Sequence, residues 1–197
     1  MKKVFMGLLV VLGLGVTQAN AQISGGIKAE ANMSNFILSD MPATSSKLGF
    51  GASLGGFVKF DISKNFAIQP ELLFHFQNSQ MEFARFDNDY QYWGVELPVY
   101  AMGQWDMGSN SRLYAGVGPY IGVGFDAKYK DPEVKLYSDD VLQPIDFGFG
   151  AQIGYEFGNG IQVNAGYKIG VIDALDKGSD NATMLPQRIS LGVGYRF

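Results

Sequence analysis

A chain of 197 residues with no cysteine, one histidine and a formal charge of −4 excludes disulfide frameworks, thiolate chemistry and multi-histidine metal centres. Charged residues make up only 17% and aromatics 14%, against about 25% charge in an average soluble domain; the acidic balance gives no basis for nucleic-acid binding. Past the first twenty residues no apolar run nears the roughly 18 needed for a membrane helix, so a surface that avoids water must be built from strands with only alternate residues apolar.

The chain begins MKKVFMGLLVVLGLGVTQANAQ. Lys2 and Lys3 precede an apolar core from Val4 to Val16, and Ala19-Asn20-Ala21 is an A-x-A cleavage site. Residues 1–21 are expected to be a secretory signal peptide, leaving 22–197 as one β-barrel domain.

Eight alternating segments follow, each near the roughly 9–11 residues that a tilted strand needs to cross a bilayer. Ile23–Ala31 and Phe50–Phe60 come first. Phe66–Phe76 sets Phe66, Ile68, Leu72, Phe74 and Phe76 against Gln69, Glu71 and His75, with Leu73 breaking the pattern as Phe57 does in the preceding segment. Tyr90–Ala101 sets Trp93, Val95, Leu97 and Val99 against Tyr92, Gly94, Glu96 and Tyr100. Leu113–Phe125, Asp146–Phe157, Ile161–Val171 and Ile189–Phe197 repeat the two-residue period of a strand with unlike faces. Residues 61–65 and 158–160 read as tight turns, 102–110 as a modest one, and 32–49, 77–89, 126–144 and 172–187 as long polar loops. Short turns at one end and long loops at the other are the plan of an outer-membrane barrel.

Charge sharpens the face assignment. Lys28, Glu30, Lys59, Glu71, Glu96, Arg112, Asp146, Glu156, Lys168, Arg188 and Arg196 all fall on the small, polar face. The interior of an eight-stranded barrel is just wide enough to be filled by side chains. Lys28, Glu30, Lys59, Glu71, Glu96, Arg112, Lys168 and Arg196 are therefore expected to form an internal polar network that plugs the lumen, with Glu71 and Glu96 each meeting Lys168, Arg196 or Arg112. The aromatics gather at the two rims, with Phe60, Phe66, Tyr155, Phe157, Tyr195 and Phe197 at the periplasmic one and Phe74, Phe76, Trp93, Phe125, Phe147 and Phe149 at the outer one.

The stretches AIQPELLFHF (67–76), VELPVYA (95–101), LYAGVGPYIGVGF (113–125), DFGFGAQIGYEF (146–157), VNAGYKIGVID (163–173) and RISLGVGYRF (188–197) together resemble the PorT-like family of small outer-membrane β-barrel proteins. The resemblance implies an eight-stranded barrel in a Gram-negative outer membrane and carries no catalytic motif; some relatives support a secretion apparatus. The closing GVGYRF also resembles the C-terminal signal read by the barrel-assembly machinery, which implies that role for Tyr195 and Phe197.

Catalysis is the weaker reading. His75 has Ser79 and Glu82 close in sequence but in a loop, and no nucleophile motif surrounds it. The acidic stretch 126–140 offers calcium oxygen ligands without EF-hand spacing and reads as a solvated loop. The expectation is an all-β, eight-stranded, antiparallel, up-and-down transmembrane β-barrel. It is monomeric, embedded in outer-membrane lipid, without cofactor or metal, and structural or binding in role, with its loops meeting an envelope protein. A narrow or gated channel for ions or small solutes is the alternative. A periplasmic lipocalin-like ligand-binding barrel is the third, and it requires an apolar interior and a charged exterior.

Overall fold

The computed structural model describes residues 22–39, 44–46, 48–83, 86–129, 134–135, 144–172 and 183–197. The expected signal peptide lies outside them. Eight long strands form the wall: β1 (Gln22–Ser39), β2 (Gly49–Ser63), β3 (Phe66–Phe83), β4 (Phe86–Asp106), β5 (Arg112–Tyr129), β6 (Ile145–Glu156), β7 (Ile161–Gly170) and β8 (Thr183–Arg196). Each pairs antiparallel with the next, and β8 returns to pair with β1 from Gly26↔Arg196 to Ser39↔Thr183, closing the barrel. Two short strands, Thr44–Ser46 against β3 and Val134–Lys135 against β5, add to the rim.

The register fixes the barrel's geometry. A path perpendicular to the strands leaves β1 at Asn32 and passes through Ser190, Gly166, Gln152, Gly116, Met102, Ala67 and Asp61. It returns to β1 at Gln22, a stagger of ten residues. A stagger of that kind requires strands tilted by roughly 35–45°. Because it is even, a residue that points inward on one circuit points inward on the next.

The alternation expected from the sequence is the alternation observed. Leu54, Phe74, Val117, Phe149, Ile153, Leu191 and Val193 project outward and are more than half exposed, while Lys28, Glu30, Lys59, Glu71, Glu96, Glu156 and Lys168 point inward and are buried. An apolar exterior around a charged interior is the reverse of a lipocalin and rules that reading out. Phe57 and Leu73, the two large apolar residues expected on the wrong face, do lie inside, at 4% and 0% exposure.

Aromatics ring both ends of the apolar band. Phe147 on β6 and Phe157 just past its end mark its limits, with ring contacts to Phe149 (6.0 Å) and Tyr155 (4.9 Å). They are ten residues apart. At about 3.3 Å per residue and a tilt of roughly 40° this spans about 25 Å, the height of an outer-membrane apolar belt. Trp105, absent from the expected girdle, joins the short-turn rim.

The loops are shorter than the sequence pattern indicated. Residues 32–39, 77–83, 86–89, 126–129 and 183–187 are strand. The ladder continues through them although the two-residue alternation of apolar and polar residues fades there. At the opposite end the connections are tight. The turn between β2 and β3 is only Lys64–Asn65, because Asp61–Ser63 belongs to β2. Gly160 takes φ +88 in the turn before β7, a conformation that favours glycine. Gln22 and Phe197 lie at this same end, and the Phe197 backbone N–H donates to Gly25 O at 3.0 Å across the closing seam.

Candidate functional site

The interior is where the chemistry of this chain is concentrated, and the register sorts its charges into three tiers. At the short-turn end, Glu156 accepts from Arg196 Nε (2.9 Å) and from Gln162 Nε2 (2.8 Å), with Arg112 Nε 3.7 Å away. Beside it Asp61 accepts from Gln104 Nε2 at 2.7 Å, and Lys59 and Arg112 stand 3.7 and 3.8 Å from its two oxygens.

In the middle tier Lys28 Nζ lies 2.9 Å from Glu30 Oε1, 3.1 Å from Glu71 Oε2 and 3.0 Å from Gln152 Oε1. Gln69 Nε2 and Gln152 Nε2 donate to Glu71 Oε1 at 2.9 and 3.2 Å. Tyr100 and Met102, both buried, pack this level from β4. In the outer tier Glu96 binds Lys168 and accepts from Arg188 Nη1 at 2.8 Å, and Tyr120 donates its hydroxyl to Asp146 Oδ2 at 2.9 Å.

All eight residues singled out from the sequence face the interior, but the partners differ from those expected. Glu96 does meet Lys168. Glu71 meets Lys28, not Lys168, Arg196 or Arg112, and the two arginines meet Glu156. The register between neighbouring strands is the reason. Arg112 is the Cα partner of Glu156, the pairs Glu156↔Gln162 and Gln162↔Gly194 bring Arg196 close to the same level, and Lys28 reaches Glu71 across one intervening strand. Asp61 is the residue the sequence reading missed, since it was assigned to a turn. Its parity with Lys59, two residues earlier on the same strand, was the available signal.

With Asp61 included, the described interior holds six acids (Glu30, Asp61, Glu71, Glu96, Asp146, Glu156) and six bases (Lys28, Lys59, Arg112, Lys168, Arg188, Arg196). Matching of this kind is what buried charge requires, because an ion without a partner is costly in a dry interior. Inward-facing glycines make room for it: the ring of Tyr114 lies over Gly154, and that of Phe57 over Gly26.

Ser79 and Glu82 belong to β3 and not to a loop. The Nδ1 of His75 is 3.1 Å from Ser53 Oγ, which accepts from Asn32 Nδ2 at 2.7 Å. The third group is an amide where a hydrolytic triad has a carboxylate, and all three side chains are buried in the barrel. Among the described residues no three acidic or histidine side chains converge as a metal site. The stretch 126–140 falls largely outside the described residues.

A closed eight-stranded barrel with an apolar belt, two aromatic rims and a charge-matched interior is an outer-membrane β-barrel protein. Residues 6–197 match the family model described as "Outer membrane protein beta-barrel domain", and the chain belongs to that family. Its place is the bacterial outer membrane, embedded in the lipid. No curated protein matches it by sequence. Among solved structures it is similar to Neisserial surface protein A, with a TM-score of 0.51 and 14% identity over 89% of this chain and 99% of that one. It is also similar to the outer membrane protein OprG from Pseudomonas aeruginosa, with a TM-score of 0.56 and 12% identity over 88% and 96%. At such identities the likeness is one of fold.

Proposed function

We propose that this chain is a PorT-like, non-catalytic, plugged barrel that serves as a monomeric outer-membrane platform, its tall outer hairpins meeting a protein partner in the envelope. The PorT resemblance makes components of a secretion apparatus the first partners to test. The observation that carries the reading is the interior: six acids and six bases in successive tiers, with five of the acids held in ion pairs and Asp146 by the Tyr120 hydroxyl. Porin-like passage needs an open aqueous lumen, which eight strands with a filled interior do not provide.

Assembly follows the same reading. Tyr195 and Phe197 present their rings outward beside each other, 6.3 Å apart, on the strand that closes the barrel. The Phe197 ring lies across Gly25 of β1. The barrel-assembly machinery is the partner proposed for this strand end.

The test is electrical. Purified protein in planar bilayers is expected to show no large, steady conductance. Reproducible porin-sized openings, surviving removal of contaminating porins, would replace the platform with the channel reading.

A further inference from the structure

The strand that opens the barrel starts at the short-turn mouth, and its first described residue is a glutamine. Gln22 directly follows Ala19-Asn20-Ala21, the cleavage site expected from the sequence. That site itself lies outside the described residues. Cutting there makes Gln22 the first residue and sets a free α-amine on the same residue as a side-chain amide. Three features of the mouth bear on that pair of groups.

The first is position. Gln22 is exposed and is the Cα partner of Asp61 on β2. It shares the parity of Ser24, Lys28 and Glu30, all buried inside, so it belongs to the inner face of the mouth. On its other side β8 has ended: pairing of β1 with β8 begins at Gly26↔Arg196, with one further bond from the Phe197 N–H to Gly25 O. The second feature is charge. The interior groups at this end are Lys59, Arg112 and Arg196 against Asp61 and Glu156. A free ammonium on Gln22 would be a fourth cation beside two carboxylates, and like charges brought together repel. The third is an acceptor. Gln22, Asp61, Gln104 and Arg112 line one polar cavity of about 540 Å³. Gln104 donates to Asp61 at 2.7 Å through Nε2, while its buried Oε1 has no hydrogen-bond partner. Such an atom calls for a donor, and a neutral one satisfies it without adding charge.

We propose that the mature N-terminus is a pyroglutamyl lactam formed from Gln22. The neutral α-amine attacks the side-chain carbonyl carbon. The bond from the backbone nitrogen to Cδ forms, the bond from Cδ to Nε2 breaks, and ammonia leaves with the proton that the α-amine gives up. No oxidant and no second substrate enters. Both reacting groups sit on one residue, so proximity favours ring closure, and an α-amine is partly neutral near neutral pH. The lactam carries no charge. It keeps one N–H, a donor at the cavity that holds Gln104 Oε1. It also leaves an aminopeptidase no free amine at the point where β1 is paired along one edge only. The inference rests on removal of residues 1–21 and is independent of the plugged reading.

The N-terminal peptide of protein purified from outer membranes tests it. Cells are broken directly into an amine-labelling reagent, which caps a free Gln22 amine before it can cyclise in the tube. An isotope-labelled synthetic peptide beginning at Gln22, added at lysis, reports cyclisation during handling. The expected peptide starts at residue 22, carries no label and is one ammonia lighter than the open sequence. It resists Edman degradation until a pyroglutamyl peptidase removes residue 22. Gln22→Ala, which has no side-chain amide, should be labelled at the same position; Gln22→Ser gives the same readout if the alanine variant is poorly processed. A labelled Gln22 amine in the native protein overturns the proposal, as does a cyclised fraction no larger than that of the added peptide. So does any other first residue, Met1 included. Bilayer recordings judge the plug separately, because neither end group alters the charged tiers.

Discussion

Leu191→Arg is expected to destabilise the protein in lipid vesicles by about 2–4 kcal/mol, the cost of a cationic side chain on the lipid face near mid-membrane. Leu191 is 66% exposed on the outer wall, near the middle of β8, and only lipid can cover it. Its neighbour Ser190 points the other way, is buried, and places its hydroxyl over Gly166, where an added methyl would come within 2.7 Å of it. Ser190→Gln is therefore expected to cost much less, some of it from crowding. Denaturant titration of vesicle-folded protein, followed by heat-modifiable gel migration, measures both. Equal tolerance, or the reverse order, would mean that β8 presents its other face to lipid.

Glu96→Ala is expected to cost about 3–5 kcal/mol, because it strands Lys168 and Arg188 together in the interior. The carboxylate is their shared anion: it binds Lys168 and, through Oε2, Arg188. Adding Lys168→Ala should recover part of the loss, since one base fewer is left without a partner. Unfolding titrations of the two single variants and the double variant give the coupling. Strictly additive losses would show that the two side chains are not held by each other. Moderate salt should change the result little, because buried pairs are weakly screened.

How much of this was legible in the sequence depends on which physical constraint wrote it there. The faces of β8, from Ile189 to Arg196, were plain because lipid on one side and a crowded interior on the other force a two-residue period. The inward positions of Lys28, Glu71 and Glu96 followed from the same parity. Their partners did not follow, because partnering depends on the register between strands. Nothing in the local pattern says that Lys28 and Glu71 share a height while Arg112 and Arg196 share one with Glu156. Asp61 was lost because a charge two residues from a tight turn looks like part of the turn. The upper strands, such as Gln77–Phe83 and Phe86–Asp89, were read as loop because their sequence no longer alternates between apolar and polar residues, although the ladder continues. Phe57 and Leu73 were visible as exceptions; that both fit inside was not.

The central claim is that charge lies inside this barrel and lipid touches the other face. The chain has no native cysteine, so single cysteines placed in turn from Ile189 to Arg196 can each carry a nitroxide label in bilayers, and the accessibility of each label to lipid-dissolved oxygen can be measured. The structure requires a period of two, with high values at Ile189, Leu191, Val193 and Tyr195 and low values at Ser190, Gly192, Gly194 and Arg196. A flat profile, a period near 3.6 or the opposite phase would contradict it.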